Sequence, residues 1–250
     1  MQYIRCRNST GVGPDPVKDG PRKRGAMNLL LLSMLTLAQT PESTHIDREV
    51  EGWTIRVEKR LLEQEPSLAE EALSLAEMQL RDLVWVLPPE RVEELRRVKI
   101  VMDLDRPGIK GLQYHPDLGW LKKGGHALDL HKVVHIPQVR SYIRLKRSNV
   151  QPWVMLHEMA HAWHDQVVTF KDPEILAAFQ SAVESKRYEE VLHMNGRIRR
   201  HYSLTDHKEY FAEGTEAFVG TNDFYPFVRP ELKQHDPELH SLLQKIWGRS

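Results

Sequence analysis

A single cysteine, Cys6, is all the thiol chemistry this chain carries. It lies in the first 26 residues, so residues 39–250 can form no disulfide and offer neither a cysteine nucleophile nor a thiolate metal ligand. An excess of one charge is missing too: 35 Lys plus Arg balance 35 Asp plus Glu. That balance gives no electrostatic footprint for nucleic acid or for an anionic membrane surface, and neither partner is expected. No apolar run is long enough to span a bilayer as a helix, so stable membrane insertion is not expected either. Internal repeats are lacking, and no low-complexity segment follows residue 41. Residues 39–250 are otherwise long enough for one domain with a proper core, or two small lobes.

The N-terminal quarter has its own organisation. Residues 1–26 are polar and rich in Gly, Pro and basic side chains, with no periodic apolar face. Arg22, Lys23 and Arg24 precede the apolar run Leu29–Ala38, which ends in Thr36-Leu37-Ala38. Basic residues, a short apolar stretch and a small-residue end are the pattern of a secretory signal peptide over residues 27–38, cut near Ala38. The domain to be explained is then 39–250, and its expected location is secreted or in the cell envelope. Met27 is an alternative start that would make the first 26 residues a misassigned extension. A buried hydrophobic helix is the competing reading of the run, and nothing amphipathic flanks it.

The richest stretch is Gln151–Asp165, which contains His157-Glu158-Met159-Ala160-His161. Residues four apart on a helix share a face, so two imidazoles at this HExxH spacing can bind one metal ion. Glu158, one residue after the first His, stands where its carboxylate could take a proton from a water on that metal. Pro152 suits a first helical turn, and Val154, Leu156, Ala160, Ala162 and Trp163 make the segment a buried helix. A catalytic zinc needs a third protein ligand and an open position. The later segment Asp206–Gly220 supplies a candidate: Asp206 reads as an N-cap, and the helix runs to about Val219 and stops at Gly220. On it, Glu209 and Glu213 share a face among Tyr210, Phe211, Ala217 and Phe218. Two carboxylates on so apolar a helix are costly to bury unless something positive meets them. Glu209 is therefore the expected third ligand, and Glu213 the acceptor that orients a ligand histidine. The competing reading has Glu209 capping its own helix three residues after Asp206. His164 is a rival ligand on the same stripe as His157 and His161. It lies about 10 Å along the axis from His157, too far for one ion held by His161 as well, so a structural or supporting role beside the metal is expected. His126, His131 and His135 have no carboxylate at a useful spacing and read as surface or cleft-lining residues.

Around these helices, Glu51–Glu58 alternates Trp53, Ile55 and Val57 against polar neighbours and predicts a strand. Ser67–Glu70 has the form of a capping box opening a helix to about Val86, stopped by Pro88-Pro89. A helix from Pro89 to about Arg97 and a strand over Val98–Leu104 follow. Residues 108–125 read as an aromatic loop, and the end of His126–Ile136 as the sheet edge. A helix or loop bridges 138–150, an amphipathic helix covers 172–193, and Arg197–Arg200 is a basic loop.

HExxH followed some tens of residues later by Glu209-Tyr210-Phe211-Ala212-Glu213 resembles the gluzincin class of zinc metallopeptidases. More closely it resembles the catalytic domain of anthrax lethal factor and its relatives, and secreted bacterial metallopeptidase-like proteins carrying segments like Thr215–Phe227. In that group a tyrosine seven residues before the Glu ligand faces the substrate, and Tyr202 holds that position here. The likeness covers roughly 151–230 and, more faintly, 45–250. The receptor-binding and substrate-docking regions of lethal factor have no counterpart. The resemblance implies an α+β zincin-like metallopeptidase domain. A small twisted sheet from 52–136 would pack on the HExxH helix, and a mainly helical lobe would follow residue 170. It implies Zn²⁺ held by His157, His161 and Glu209, Glu158 as general base, and Tyr202 as donor to the oxyanion. The expected partner is a peptide or protein substrate. A non-catalytic binding module and a zinc amide hydrolase acting on a cell-wall or other non-peptide bond would share every one of these residues.

Overall fold

The structure is a computed structural model that describes residues 44–249. The polar extension, the expected signal peptide and Cys6 lie outside the described residues. The chain opens on a hairpin, β1 (His45–Val50) and β2 (Trp53–Glu58), antiparallel with Val50 opposite Trp53. Both turn residues, Glu51 and Gly52, take positive φ (51° and 87°), the backbone a two-residue hairpin turn needs to match strand twist. The sequence pattern showed β2 but not β1, because four of the six β1 side chains are charged or ring-polar and the strand lies at a sheet edge.

Helices α1 (Lys59–Gln64), α2 (Pro66–Val86) and α3 (Pro89–Leu95) follow. The expected capping box at Ser67 is not how α2 starts. Pro66 occupies the first turn with no side-chain cap, since its fixed φ begins the helix one residue earlier. Then come β3 (Ile100–Met102), β4 (Gln113–Tyr114), α4 (Leu118–Lys123), β5 (Val134–Ile136) and α5 (Val139–Ser148). The five strands form one sheet in the order β1-β2-β3-β5-β4, with β3 parallel to both neighbours and β4 antiparallel to β5. The sheet edge is thus β4, not β5 as the sequence suggested. β4 is only two residues inside an aromatic, glycine-rich loop, too short for alternation to mark it.

Period-two alternation divides the sheet's side chains. Trp53, Ile55, Val57, Ile100, Met102, Val134 and Ile136 are fully buried in the main core with Leu80 and Leu83 of α2 and Ile143 of α5. Each such burial contributes about 1.5–3 kcal/mol. The opposite face carries a small cluster in which Val101 meets Ile109, Leu121, Leu130 and Val133, so the loops around β4 are packed rather than loose. On that face too, His135 is fully buried and donates from Nε2 to Asp103 (3.0 Å), while its Nδ1 meets His115 Nε2 at 3.0 Å. His45 reaches the other Asp103 oxygen at 2.8 Å. Burial favours the neutral carboxyl of Asp103, but the His135, His45 and Arg106 hydrogen bonds outweigh it and hold the group well below the usual carboxylate range. Burial and the facing His135 push His115 down to about 3, so it is neutral. His135 is therefore a core residue and not the cleft-lining one expected. It ties β5 to the chain leaving β4.

The second half is helical: α6 (Val154–Trp163), α7 (Pro173–Ser185), a short hairpin of β6 (Val191–Leu192) and β7 (Ile198–Arg199), then α8 (His207–Val219), α9 (Arg229–His235) and α10 (Pro237–Trp247). Pro152 precedes α6 rather than sitting in its first turn; Trp153 is the N-cap. The helix expected over 172–193 ends at Ser185, where Lys186 turns left-handed. α8 is the hub, packing against α6 and the last two helices. Its end depends on Gly220, where a Cβ would stand 2.1 Å from the Trp153 ring. Gly220→Ala is therefore expected to destabilise the fold by about 1–3 kcal/mol through overpacking, a fall of roughly 2–12 °C in Tm. Thermal unfolding checks it, and an unchanged Tm would mean the indole moves aside freely. No helix among the described residues is long and apolar enough to cross a membrane.

Candidate metal centre

α6 crosses α8 so that the HExxH face meets the glutamate face. α8 starts as its sequence predicts: Asp206 Oδ1 accepts the N–H groups of Lys208 (2.8 Å) and Glu209 (3.1 Å). With the helix end already capped, the Glu209 carboxylate is free to face α6. Its Oε2 lies 3.1 Å from His157 Nε2 and 3.4 Å from His161 Nε2, and the two ring nitrogens are 3.1 Å apart. Zinc–nitrogen and zinc–oxygen bonds of about 2.0–2.1 Å in a tetrahedron put neighbouring ligand atoms about 3.3 Å apart. The three atoms therefore form one face of a zinc-sized tetrahedron. Both imidazoles turn Nε2 into this triangle, and the Glu209 carboxylate brings the negative charge that a divalent cation would meet there. The residues fit a zinc ion.

The surrounding charges fit as well. Burial favours a neutral Glu209, yet its hydrogen bonds to His157 and His161 overcome that and hold it well below the usual range, as an anion. Burial disfavours a charged His157, but the hydrogen bonds from its ring to Glu209 and Glu216 raise its pKa well above the ordinary value. The hydrogen bond assigned from sequence to Glu213 is made instead by Glu216, whose Oε1 accepts from His157 Nδ1 at 2.7 Å; Glu213 stays 3.9 Å away. The reason is helical phase. Seven residues beyond Glu209 return to within about 20° of its direction, whereas four residues overshoot by about 40°. Glu216 was overlooked although the signal was present, an acid between Thr215 and Ala217 in an apolar run. Glu213 is buried in its own right, its Oε2 lacks a hydrogen-bond partner among the described residues, and burial next to Glu216 pushes it well up, toward the neutral acid.

Glu158 is held from the sheet side. The Tyr114 N–H on edge strand β4 donates to its Oε2 at 2.7 Å, and the Tyr114 hydroxyl donates to Asp165 (2.7 Å) just past α6. One residue thus clamps the strand to the middle of the motif helix and to the turn just past its end. Burial raises the Glu158 pKa, opposed by His157, His161 and the Tyr114 N–H. Such a shift moves a carboxyl toward the range useful for accepting and returning a proton. Tyr202 begins a short 3₁₀ turn, is 49% exposed, and lines the same cleft of about 600 Å³ as His157, Glu158, His161 and Glu209. Burial first, then the Glu209 charge, raise its pKa and keep the hydroxyl protonated, a donor.

His164 does not join the site. It is fully buried between Phe170 and Phe211, each 5.0 Å away, and neither ring nitrogen has a hydrogen-bond partner among the described residues. Burial pushes it down to about 3. It is a neutral packing residue, not a support for a ligand, because the helix turns it toward α8's apolar side. His126 stacks on Trp120 (4.8 Å) and His131 bonds the Pro116 carbonyl (3.2 Å), both away from the metal centre.

No protein-family model matches the chain, and no curated protein matches it. Among solved structures it is similar to a Pro-Pro endopeptidase from Paenibacillus alvei, at 18% identity and a TM-score of 0.40, over 71% of this chain and 90% of that one.

Proposed function

We propose that the chain is an extracytoplasmic zinc metallopeptidase of zincin-like fold, cleaving peptide bonds in a cleft between the sheet edge and α8. The observation that supports this most is the triangle of His157, His161 and Glu209 atoms, 3.1–3.4 Å on a side, with Glu158 beside it. A zinc ion held there would polarise a water and the scissile carbonyl. Glu158 would take a proton from the attacking water and return it to the leaving amine, and the Tyr114 N–H fixes the rotation of its carboxylate for both transfers. Glu216 accepts the Nδ1–H of His157 and so keeps Nε2 as the coordinating nitrogen. Tyr202 donates its hydroxyl hydrogen to the oxygen that becomes negative as the carbonyl is attacked.

Purified protein is expected to carry one zinc per chain and to cleave members of an unbiased peptide library, and secreted material to begin near Gln39. Zinc with no cleavage of any peptide would turn the reading toward a binding module or a non-peptide amide hydrolase. Tyr202→Phe tests the oxyanion role more finely. It should keep zinc and lose roughly 10²–10³-fold in rate, mainly in kcat, because the charge exists only near the transition state. A Tyr202→Phe protein as fast as wild type would make the hydroxyl dispensable and leave the ligand assignment standing.

A further inference from the structure

The cleft carries two cations, Lys110 and Arg199, and neither has a carboxylate partner among the described residues. Arg199 is held in a particular way. It belongs to the β6–β7 hairpin, opposite Val191, while its neighbour Ile198 points outward and is 63% exposed. Its guanidinium carbon stands 5.5 Å over the Phe224 ring. That ring is fixed in turn: it stacks on His201 (4.7 Å, 26°), meets the edge of His193 (4.6 Å), and shares a β-bridge with His193. That cation–π contact places the guanidinium, while its N–H donors make no hydrogen bond among the described residues. The adjacent Arg200, by contrast, is paired with Glu189 at 3.2 Å and bonds the Leu204 carbonyl. None of the acids lining the cleft pairs with Arg199 among the described residues: Asp223 pairs with His193 at 3.3 Å, Glu209 meets His157 at 3.1 Å, Glu158 accepts the Tyr114 N–H, and Glu213 stands 3.9 Å from His157 Nδ1.

We infer that Arg199 is a specificity-determining residue that binds an Asp or Glu side chain of the substrate, so that the peptides cleaved carry an acidic residue close to the scissile bond. This rests on the metallopeptidase reading. A planar donor fork, pre-positioned on an aromatic ring and without a counter-ion, matches a carboxylate in bidentate geometry and loses little freedom on binding it. A neutral amide offers that fork one acceptor oxygen rather than two, and it brings no charge to the cation. Even partly exposed, a charge-assisted pair of this kind corresponds to a preference of about tenfold or more.

The test uses quenched fluorescent peptides built on one cleaved library sequence, with Asp or Glu against Asn or Gln at each of three positions on either side of the bond. For the zinc-loaded full chain, kcat/KM should favour the acid about tenfold at one position. Arg199→Gln should bring that ratio to about one, and Arg199→Glu should favour Lys there instead. Arg199 is exposed, so these variants are expected to fold, and their zinc content checks the site. A ratio near one at every position in the wild type, or an acid preference surviving in Arg199→Gln, overturns the inference. If no library peptide is cleaved, the peptidase reading fails separately, and binding to the zinc-loaded full chain of library peptides that differ only as Asp or Glu against Asn or Gln decides the role of Arg199. Tenfold tighter binding of the acidic member, abolished by adding Arg199→Gln, upholds it; equal affinities overturn it.

Discussion

Glu209→Ala protein is expected to emerge from purification without its zinc, its affinity lowered by well over about 10²-fold. Loss of an outer hydrogen-bond partner alone typically costs 10–100-fold, and Glu209 would supply one of the three atoms that could hold the ion together with the one negative charge of the triangle. The two flanking substitutions rank themselves below it by geometry. Glu216→Ala removes the 2.7 Å acceptor of His157 Nδ1 and should weaken zinc by about 10–100-fold, leaving the ring free to turn. Glu213→Ala, 3.9 Å from the same nitrogen, should do less to the metal than either. Metal analysis after dialysis against a chelator series measures all three, and zinc-dependent Tm gives an independent scale, since a ligand that binds only the folded state raises stability by RT ln(1 + [L]/Kd). Full zinc occupancy in Glu209→Ala, with wild-type Tm, would assign Glu209 to its helix end. Asp206 already fills that position with two hydrogen bonds, which is why the ligand assignment is preferred.

The parts legible in the sequence were those written in a single period. HExxH at i, i+4, the Asp206 cap and the Gly220 stop each follow from local helix chemistry, and α8 has the bounds expected of it. The strand alternation of Trp53, Ile55 and Val57 was equally plain and is equally buried. What failed depended on geometry between elements. Glu213 and Glu216 lie on the same stripe, and which one reaches His157 is set by the crossing of two helices far apart in sequence. His164 continues the stripe of His157 and His161, but one more turn carries it past the metal into the Phe170–Phe211 packing. Edge strand β4 is two residues long, and its contribution to the site is a backbone N–H, which no side-chain pattern records. His135 looked solvent-facing because its partner Asp103 belongs to a neighbouring strand's end.

Glu158→Gln should separate binding of the metal from use of it. The side chain is 8% exposed and is not one of the three atoms in the ligand triangle, so the substitution is expected to keep zinc at wild-type occupancy. Its amide oxygen can still accept the Tyr114 N–H that now meets Oε2 at 2.7 Å, so the clamp from β4 should persist and the fold with it. Replacing a carboxyl whose ionised form is disfavoured first of all by burial introduces no new unpaired charge. The amide cannot take up a proton, however, and a positioned general base typically contributes 10²–10⁴-fold in rate. Hydrolysis should therefore fall by about that factor in kcat, while the affinity for the best library peptide is held or nearly so. Single-turnover kinetics and direct peptide binding on the same zinc-loaded sample measure the two parts. A Glu158→Gln protein that hydrolyses within a few-fold of wild type while holding its zinc would remove Glu158 as the base, and the proton would have to leave by another group on the cleft wall. A variant that loses zinc along with activity would instead place Glu158 among the ligands, and the Tyr114 hydrogen bond would then be read as a support for coordination rather than for proton transfer.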